Sequence, residues 1–299
     1  MIKRFLDYTE IKTKITSLFA FFMTIAFLLY KEQQIEWKLT VIFFCSMLLF
    51  DLTTTAINNY IDTKTNDQEL QFKRRKALII IFVLLGISTV LGLYLAYMTD
   101  IVVLLLGGLC FLCGVLYTYG PVPISRQPLG EILSGVFYGL FIPFLLMYIN
   151  MPKGTFLILD LSWETINISF MIMPIITVLL FSIIPVCTTA NIMLANNICD
   201  VEKDIAVKRY TLPYYLGVKA LYLFAALYYL TYIATIAMVA LKILSPLCLI
   251  SLLTIFIVQK NINTFNKKQE KALTFIVSIK NYVIIMGANT ILIFISIFI

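Results

Sequence analysis

Residues 77–98 read ALIIIFVLLGISTVLGLYLAYM, an apolar run without a charged side chain. About 20 such residues are enough for a helix to cross a bilayer. Similar runs recur along the whole chain of 299 residues, which is 61% hydrophobic and only 13% charged. Soluble domains are about 45–50% apolar and about 25% charged. The composition therefore excludes an ordinary soluble enzyme and a disordered chain, and it predicts an all-α integral membrane protein with several spans.

The pattern predicts nine transmembrane helices and no soluble domain, so that residues 1–299 form a single polytopic membrane domain. The predicted spans are 15–30, 39–58, 77–98, 101–118, 130–149, 168–195, 213–241, 244–259 and 279–298. Only Thr99 and Asp100 separate the third span from the fourth, which predicts a tight helical hairpin there. Pro174 and Pro185 predict kinks in the sixth span.

The distribution of basic residues predicts the orientation of the spans. With a cytoplasmic N-terminus, only Lys31, Lys38, Lys153 and Lys242 of the 23 Lys and Arg residues fall on the outer side. This is a strong positive-inside bias, so we expect the N-terminus in the cytoplasm and the C-terminus outside. The net charge of +7 then reflects topology and contact with membrane lipid, and it does not indicate nucleic-acid binding. We expect no obligate protein partner.

Two acidic segments follow spans, both on the predicted cytoplasmic side. Each contains polar residues at positions i, i+4 and i+8, which share one face of a helix that continues beyond the membrane. These residues are Asn58, Asp62 and Asn66 in the first segment and Asn196, Asp200 and Asp204 in the second. Carboxylate and amide oxygens with room for water suit Mg²⁺, which often binds through one or two carboxylates and a substrate phosphate. The two faces predict one central cavity on the cytoplasmic side, on which these oxygens converge.

Basic residues accompany both segments. They are Lys64, Arg74 and Arg75 in or after the first segment, and Lys208 and Arg209 after the second. Acids beside cations are typical of sites that hold Mg²⁺ together with a phosphorylated substrate. Taken singly, an Asn/Asp-rich stretch is more often a solvated turn, and the basic run 73–76 is more often a membrane-surface anchor. The repetition of the pattern on one side of the membrane favours the functional interpretation.

Three stretches resemble the UbiA superfamily of membrane prenyltransferases, and among its branches the 1,4-dihydroxy-2-naphthoate polyprenyltransferases of menaquinone synthesis. They are NNYIDTK at 58–64, YTYGPVP at 117–123 with LGE at 129–131, and NNICDVEKDIAVKRYTLPYYLG at 196–217. The 4-hydroxybenzoate branch has Asp-x-x-Tyr-Ala ahead of its second acidic motif, whereas residues 193–197 are MLANN. This difference favours a naphthoate acceptor.

The sequence departs from the family pattern at several positions. Asn59 stands where the family has Asp, and Tyr119 stands where the naphthoate branch has Gly. Asn66 replaces a third acid, so we expect Asp67, one residue further on, to serve instead. A residue at i+5 lies about 100° away from one at i+4 on a helix, so Asp67 can join the site only if the helix has ended by Thr65 and the chain turns, which Asn66-Asp67 favours.

The resemblance implies an Mg²⁺-dependent enzyme of a bacterial plasma membrane, with its active site facing the cytoplasm. The long isoprenoid tail implies that the central cavity opens both to the cytoplasm and to lipid. It would transfer a polyprenyl group from polyprenyl diphosphate to a dihydroxynaphthoate-like aromatic acceptor, giving demethylmenaquinone, diphosphate and CO₂. The implied catalytic residues are Asp62, Asp200 and Asp204, and the implied metal ligands are the same three with Asp67. The implied diphosphate-binding residues are Asn58, Lys64, Arg74, Arg75, Asn196, Asn197, Lys208 and Arg209.

Three alternatives stay open at this point. A sister enzyme would use 4-hydroxybenzoate, homogentisate or haem as the acceptor. A transporter with inverted repeats would also carry paired polar helix breaks, although its binding site would lie near the bilayer midplane. A purely structural membrane protein would leave the repeated acidic segments without a purpose.

Overall fold

The chain is mostly helical in a computed structural model that describes residues 1–63, 69–120 and 123–299. Within these residues, eight helices are long and apolar enough to cross a membrane. They are Ile11–Tyr30, Trp37–Asp62, Arg74–Met98, Gly130–Asn150, Ile172–Ala206, Lys219–Ala240, Pro246–Lys267 and Ile276–Phe298. A further apolar helix, Ile101–Leu116, is shorter. The protein is therefore an integral membrane protein, as the hydropathy pattern predicts.

The helices have the following bounds. The α-helices are α1 Ile2–Tyr8, α2 Ile15–Tyr30, α3 Trp37–Asp62, α4 Arg74–Met98, α5 Ile101–Leu116, α6 Gly130–Val136, α7 Ile142–Asn150, α8 Ile172–Ala206, α9 Leu212–Leu216, α10 Lys219–Ala240, α11 Ile255–Lys267 and α12 Ile276–Ile295. Short 3₁₀ turns occupy Ile11–Lys14, Ile124–Arg126, Pro246–Thr254 and Ser296–Phe298, and a π-helical turn, Phe137–Phe141, joins α6 to α7.

Helix boundaries follow the local sequence closely in two places. Asp100 caps α5, since its Oδ1 accepts hydrogen bonds from the backbone N–H groups of Val102 (2.9 Å) and Val103 (3.4 Å). The predicted tight hairpin between α4 and α5 is therefore present. Pro174 lies in the first turn of α8, where a missing N–H costs nothing, whereas Pro185 lies inside the helix. Of the two predicted kink positions, only Pro185 interrupts the backbone hydrogen bonding of α8.

A β-hairpin departs from the all-α prediction. Strands β1, Leu157–Leu161, and β2, Ile166–Phe170, pair antiparallel, with Leu157 opposite Phe170. The sixth span was expected to begin at residue 168, but α8 begins at Ile172 because the preceding residues extend into β2. The residues of β2, INISF, alternate between apolar and polar side chains as a strand does, but the apolar run that follows them directly masks this signal in a hydropathy window.

The packing divides the chain into two compact units. The first comprises Met1–Leu18 and Glu36–Gln127, and the second comprises Phe19–Ile35 and Pro128–Ile299. In the first unit, the Tyr8 hydroxyl donates a hydrogen bond to the backbone oxygen of Ala56 at 2.9 Å. Burial raises the pKa of Tyr8, so its hydroxyl keeps the proton that this bond requires.

The second unit is organised around the long helix α8, which packs against α6, α7, α10 and α12. The π-helical turn of the α6–α7 span meets α8 at Pro185. A Cβ added to Gly139 would lie 2.5 Å from the Cα of Val186 and 2.6 Å from the backbone carbon of Pro185. Only glycine permits this approach of two backbones, so Gly139 fixes the packing of the α6–α7 span on α8.

Candidate active site

The first acidic segment lies at the C-terminal end of α3. Asn58 is half-buried, and its Oδ1 accepts a hydrogen bond from the buried hydroxyl of Thr118. Asp62 is the last residue of α3 and is exposed. The two residues lie one helical turn apart, so they share the face that their spacing predicts.

Asn59 explains one departure from the family pattern. Its Nδ2 donates hydrogen bonds to the backbone oxygen of Tyr8 at 2.9 Å and to Oε1 of Glu10 at 3.1 Å. A carboxylate at this position could donate neither bond and would face two acceptors. The amide therefore connects the N-terminal segment to α3.

Arg74, which was expected to bind diphosphate, contacts the end of α3. Its guanidinium donates to the backbone oxygens of Tyr60 (3.1 Å) and Thr63 (2.9 Å), and it lies over the Tyr60 ring at 5.4 Å. A cation here satisfies carbonyl groups that a helix end leaves without partners, and it interacts favourably with the helix dipole. Arg75 is exposed.

Lys64, Asn66 and Asp67 lie outside the described residues, so the structure places none of them. The described part does settle the end of the helix that precedes them. Helix α3 ends at Asp62, and Thr63 follows as its C-terminal cap. This meets the first requirement for Asp67 to join the site, a helix that has ended by Thr65, whereas the turn that is also required falls outside the described residues.

Asp51 lies on the same stripe of α3 but is fully engaged in a buried ion pair. The Lys14 ammonium contacts Asp51 Oδ1 at 2.8 Å, and the Ser17 hydroxyl donates to Asp51 Oδ2 at 2.7 Å. Both charged side chains are almost fully buried. This pairing makes Asp51 a structural residue of the first unit.

The second acidic segment lies on α8, which continues to Ala206 as the i, i+4, i+8 pattern predicts. Asn196 Oδ1 and Asp200 Oδ2 both accept hydrogen bonds from the ammonium group of Lys271, in the latter case at 2.5 Å. Lys271 comes from the segment between α11 and α12, and its ammonium also lies 5.2 Å from the Phe275 ring. Two oxygens of one helix face thus converge on one cation.

Asp204 forms an ion pair with Arg209, and the end of α8 sets the geometry of this pair. The backbone N–H of Arg209 donates a hydrogen bond to the backbone oxygen of Asp204 (2.8 Å). The backbone N–H of Lys208 donates one to the backbone oxygen of Ile205 (3.0 Å). Lys208 has a φ of +56°. This is a Schellman ending, with Lys208 at the position usually held by glycine. It returns the chain so that Arg209 Nε lies 3.8 Å from Asp204 Oδ1.

Asn197 points to a different partner from its neighbour Asn196. Its Nδ2 donates to Oε1 of Glu131, at the start of α6, at 2.8 Å, and both residues are buried. The other oxygen of Glu131, Oε2, and the amide oxygen of Asn197, Oδ1, have no hydrogen-bond partner within the described residues. Asn197 therefore connects the acidic part of α8 to the start of α6.

The donors of the second segment suit Mg²⁺ in type. Asn196 and Asp200 supply a neutral and a charged oxygen to the same cation, and hard oxygen ligands are those that Mg²⁺ prefers. Within the described residues, no three His, Cys, Asp or Glu side chains form a group that could hold a metal ion without further ligands. The arrangement therefore fits a metal that is completed by substrate oxygens and water, as Mg²⁺ usually is.

Sequence reasoning missed three residues that contact the predicted ones. Lys271 belongs to a basic loop whose charges were interpreted only as topology signals, and Glu131 and Thr118 lie in motifs to which no role was given. Each of the three is far from its partner along the chain, so no local pattern links them. The separations are 75 positions for Asn196 and Lys271, 66 for Asn197 and Glu131, and 60 for Asn58 and Thr118. An acid at the start of an apolar span was the one local signal for Glu131.

Comparison with known proteins identifies related sequences and folds. The model of the UbiA prenyltransferase family matches residues 19–279. The chain is 27% identical to 1,4-dihydroxy-2-naphthoate octaprenyltransferase of Bacillus subtilis (strain 168) over 237 residues, which cover 75% of this chain and 69% of that protein. The apo structure of a UbiA homologue from Aeropyrum pernix K1 has a TM-score of 0.65 at 17% identity, over 93% of this chain and 97% of that one. A UbiA homologue from Archaeoglobus fulgidus bound to GPP and Mg²⁺ has a TM-score of 0.62 at 13% identity, over 99% and 100%.

Proposed function

Because this chain belongs to the UbiA prenyltransferase family, we propose that it transfers a polyprenyl group from polyprenyl diphosphate to 1,4-dihydroxy-2-naphthoate. The products would be demethylmenaquinone in its reduced form, diphosphate and CO₂. The similarity to the naphthoate octaprenyltransferase supports this acceptor, as does the absence of the 4-hydroxybenzoate motif in residues 193–197. Family membership removes the transporter and the purely structural protein from consideration. A prenyltransferase with another aromatic acceptor is the alternative.

The observation that carries the proposal is the convergence of Asn196 and Asp200 on one cation. A related fold binds GPP together with Mg²⁺, which supports the same pairing of metal and diphosphate here. We propose Asp62, Asp67, Asp200 and Asp204 as the residues that hold the metal. When bound, Mg²⁺ would neutralise the negative charge that develops on the departing diphosphate.

The basic and amide residues would act on the diphosphate itself. Lys208 is exposed at the end of α8, and Arg209 presents its guanidinium beside Asp204. Lys64, Arg75, Asn58 and Asn196 complete the proposed set, while Arg74 and Asn197 would act by positioning α3 and α8. The surrounding apolar spans would exclude water while the allylic carbon carries positive charge.

For the membrane topology, we propose nine spans with the N-terminus and both acidic segments on the cytoplasmic side of a bacterial plasma membrane. The span that brings the number from eight to nine is α5, the fourth along the chain. It is an apolar helix that is shorter than the eight others. Its 16 residues extend about 24 Å, somewhat less than the roughly 30 Å of hydrocarbon in a bilayer. Local thinning of the bilayer accommodates a span of this length at modest cost. The predicted cavity stays a prediction from the sequence.

The experiment that tests the acceptor uses purified protein, Mg²⁺, one polyprenyl diphosphate and a panel of aromatic acids. We expect a prenylated product from 1,4-dihydroxy-2-naphthoate, with a mass that reflects the loss of CO₂. The panel also contains 4-hydroxybenzoate and homogentisate, which should give little or no product. A product from either of these, with none from the naphthoate, would replace the proposed acceptor and leave the enzyme class intact.

A further inference from the structure

Lys271 occupies the place on α8 that the proposed function gives to Mg²⁺. Its ammonium lies between Asn196 Oδ1 and Asp200 Oδ2, the two oxygens that converge from successive turns. The charge of Asp200 is thereby compensated within the protein. One helix face cannot offer the same oxygens to an ammonium and to a metal ion at once, so the two cations must compete for them.

The position of Lys271 allows it to leave. Its side chain is 41% exposed and that of Asp200 is 20% exposed, so solvent weakens their attraction. Lysine carries a compact charge on a flexible stem of four carbons, so the ammonium can move while the backbone stays in place. The loop itself is held, since Glu270 O accepts a hydrogen bond from the backbone N–H of Thr274 at 2.8 Å.

Asp204 shows the opposite arrangement on the same helix. It is buried, and its cation, Arg209, follows five residues later and is fixed by the Schellman ending of α8. The backbone of Arg209 is therefore held beside its acid, and its side chain is less exposed, at 27%, than that of Lys271. Among the described residues, Arg209 and Lys271 form ion pairs with the acids of this segment, and of these two only Lys271 lies on a separate segment with an exposed side chain.

We propose that Lys271 is an internal counter-cation, which holds the metal-binding face of α8 until Mg²⁺ displaces it and which then binds the diphosphate. This inference rests on the proposed function, because it requires Asp200 to be a metal ligand. It adds a residue and a coupling to that proposal. Binding of the metal releases a cation for the diphosphate, so each of the two ligands promotes binding of the other.

The test measures binding of Mn²⁺, a spectroscopic substitute for Mg²⁺, to the full-length protein in detergent without substrate. Lys271→Met removes the charge and retains the apolar stem that lies beside Phe275. We expect this variant to bind Mn²⁺ about 5-fold more tightly than the wild type, a change typical of the loss of a partly exposed ion pair. Free Mn²⁺ is quantified by electron paramagnetic resonance.

The chain offers a matched control in the same loop. Lys268 pairs with Glu270 at 2.5 Å, and both side chains are exposed. Lys268→Met removes an equal charge from the same loop and should leave the Mn²⁺ affinity unchanged. Lys271→Arg keeps the charge and should stay close to the wild type. A Lys271→Met affinity that equals or falls below that of the wild type would overturn the inference.

A second measurement follows the diphosphate. With the protein saturated in Mn²⁺, inorganic diphosphate should bind about 5-fold more weakly to Lys271→Met than to the wild type. Equal binding would refute the second role of Lys271. Asp200→Ala separates this inference from the proposed function. If Asp200→Ala retains full Mn²⁺ binding, the proposed metal site and the role of Lys271 both fail. If Asp200→Ala loses Mn²⁺ binding while Lys271→Met matches the wild type, only the role of Lys271 fails.

Discussion

Lys208 illustrates how a single residue combines backbone geometry with charge. It holds a left-handed conformation, which costs an L-residue about 1–2 kcal/mol relative to glycine, and it exposes its ammonium at the end of the acidic face. Glycine would fit this backbone conformation at lower cost than lysine does. The presence of lysine instead indicates a use for its charge.

Lys208→Gly tests this use directly, because glycine keeps the Schellman ending and removes the exposed side chain that carries the ammonium. We expect unchanged or slightly raised thermal stability, with a KM for polyprenyl diphosphate about 10-fold higher. Lys203→Gln serves as the control, since Lys203 is an exposed lysine of α8 one turn earlier. An unaltered KM in Lys208→Gly would remove this residue from the diphosphate site.

At the scale of elements, the packing of the α6–α7 span on α8 depends on Gly139. The atoms that a side chain would meet belong to the backbone of Pro185 and Val186 and cannot rotate away. A π-helical turn and an internal proline meet here, so neither helix has a regular ladder of hydrogen bonds with which to absorb a shift.

Gly139→Ala should therefore destabilise the protein by about 1–3 kcal/mol, the usual cost of overpacking. Thermal unfolding in detergent measures the effect. Gly86→Ala in α4 provides the comparison, because nothing lies within 4 Å of the added Cβ and alanine favours a helix more than glycine does. Equal melting temperatures for wild type and Gly139→Ala would show that the two helices separate easily at this point.

The elements differ in how far the sequence predicts them. Apolar runs located the spans because burial in lipid requires them, and the i, i+4 spacing placed Asn196 and Asp200 on one face because α8 continues past the apolar run. Hydropathy averaged over a span did not reveal β1 and β2, since each has only five residues and β2 leads directly into the apolar start of α8. The pairing of Asp200 with Lys271 depends on tertiary contact across 71 positions, which no local pattern encodes.

At the scale of the whole molecule, the orientation in the membrane depends on α5. If this helix crosses the bilayer, nine spans place Ile299 outside, and the basic loops remain in the cytoplasm. If it does not cross, eight spans return the C-terminus to the cytoplasm. The charge distribution favours crossing, since the residues after α5 and before α6 include Arg126 and no other charge.

A pair of C-terminal fusions distinguishes these topologies. We expect a reporter that is active only in the cytoplasm to be silent, and one that is active only outside to be active. The same reporters fused after Arg126 should give the reverse pattern, which controls for expression. Activity of the cytoplasmic reporter at Ile299 would show that the number of spans is even.

The central claim is that the two acidic segments hold Mg²⁺ for prenyl transfer, and its most direct test is Mg²⁺-dependent release of diphosphate. Purified wild-type protein, Asp62→Ala and Asp200→Ala are compared in the presence of polyprenyl diphosphate and 1,4-dihydroxy-2-naphthoate. We expect either substitution to lower turnover on the order of 10³-fold or more, with unchanged thermal unfolding, because each removes a charged ligand of the metal. Glu202→Ala, which alters an exposed acid on another side of α8, should retain activity. Near wild-type turnover in Asp62→Ala or Asp200→Ala would contradict the proposed site.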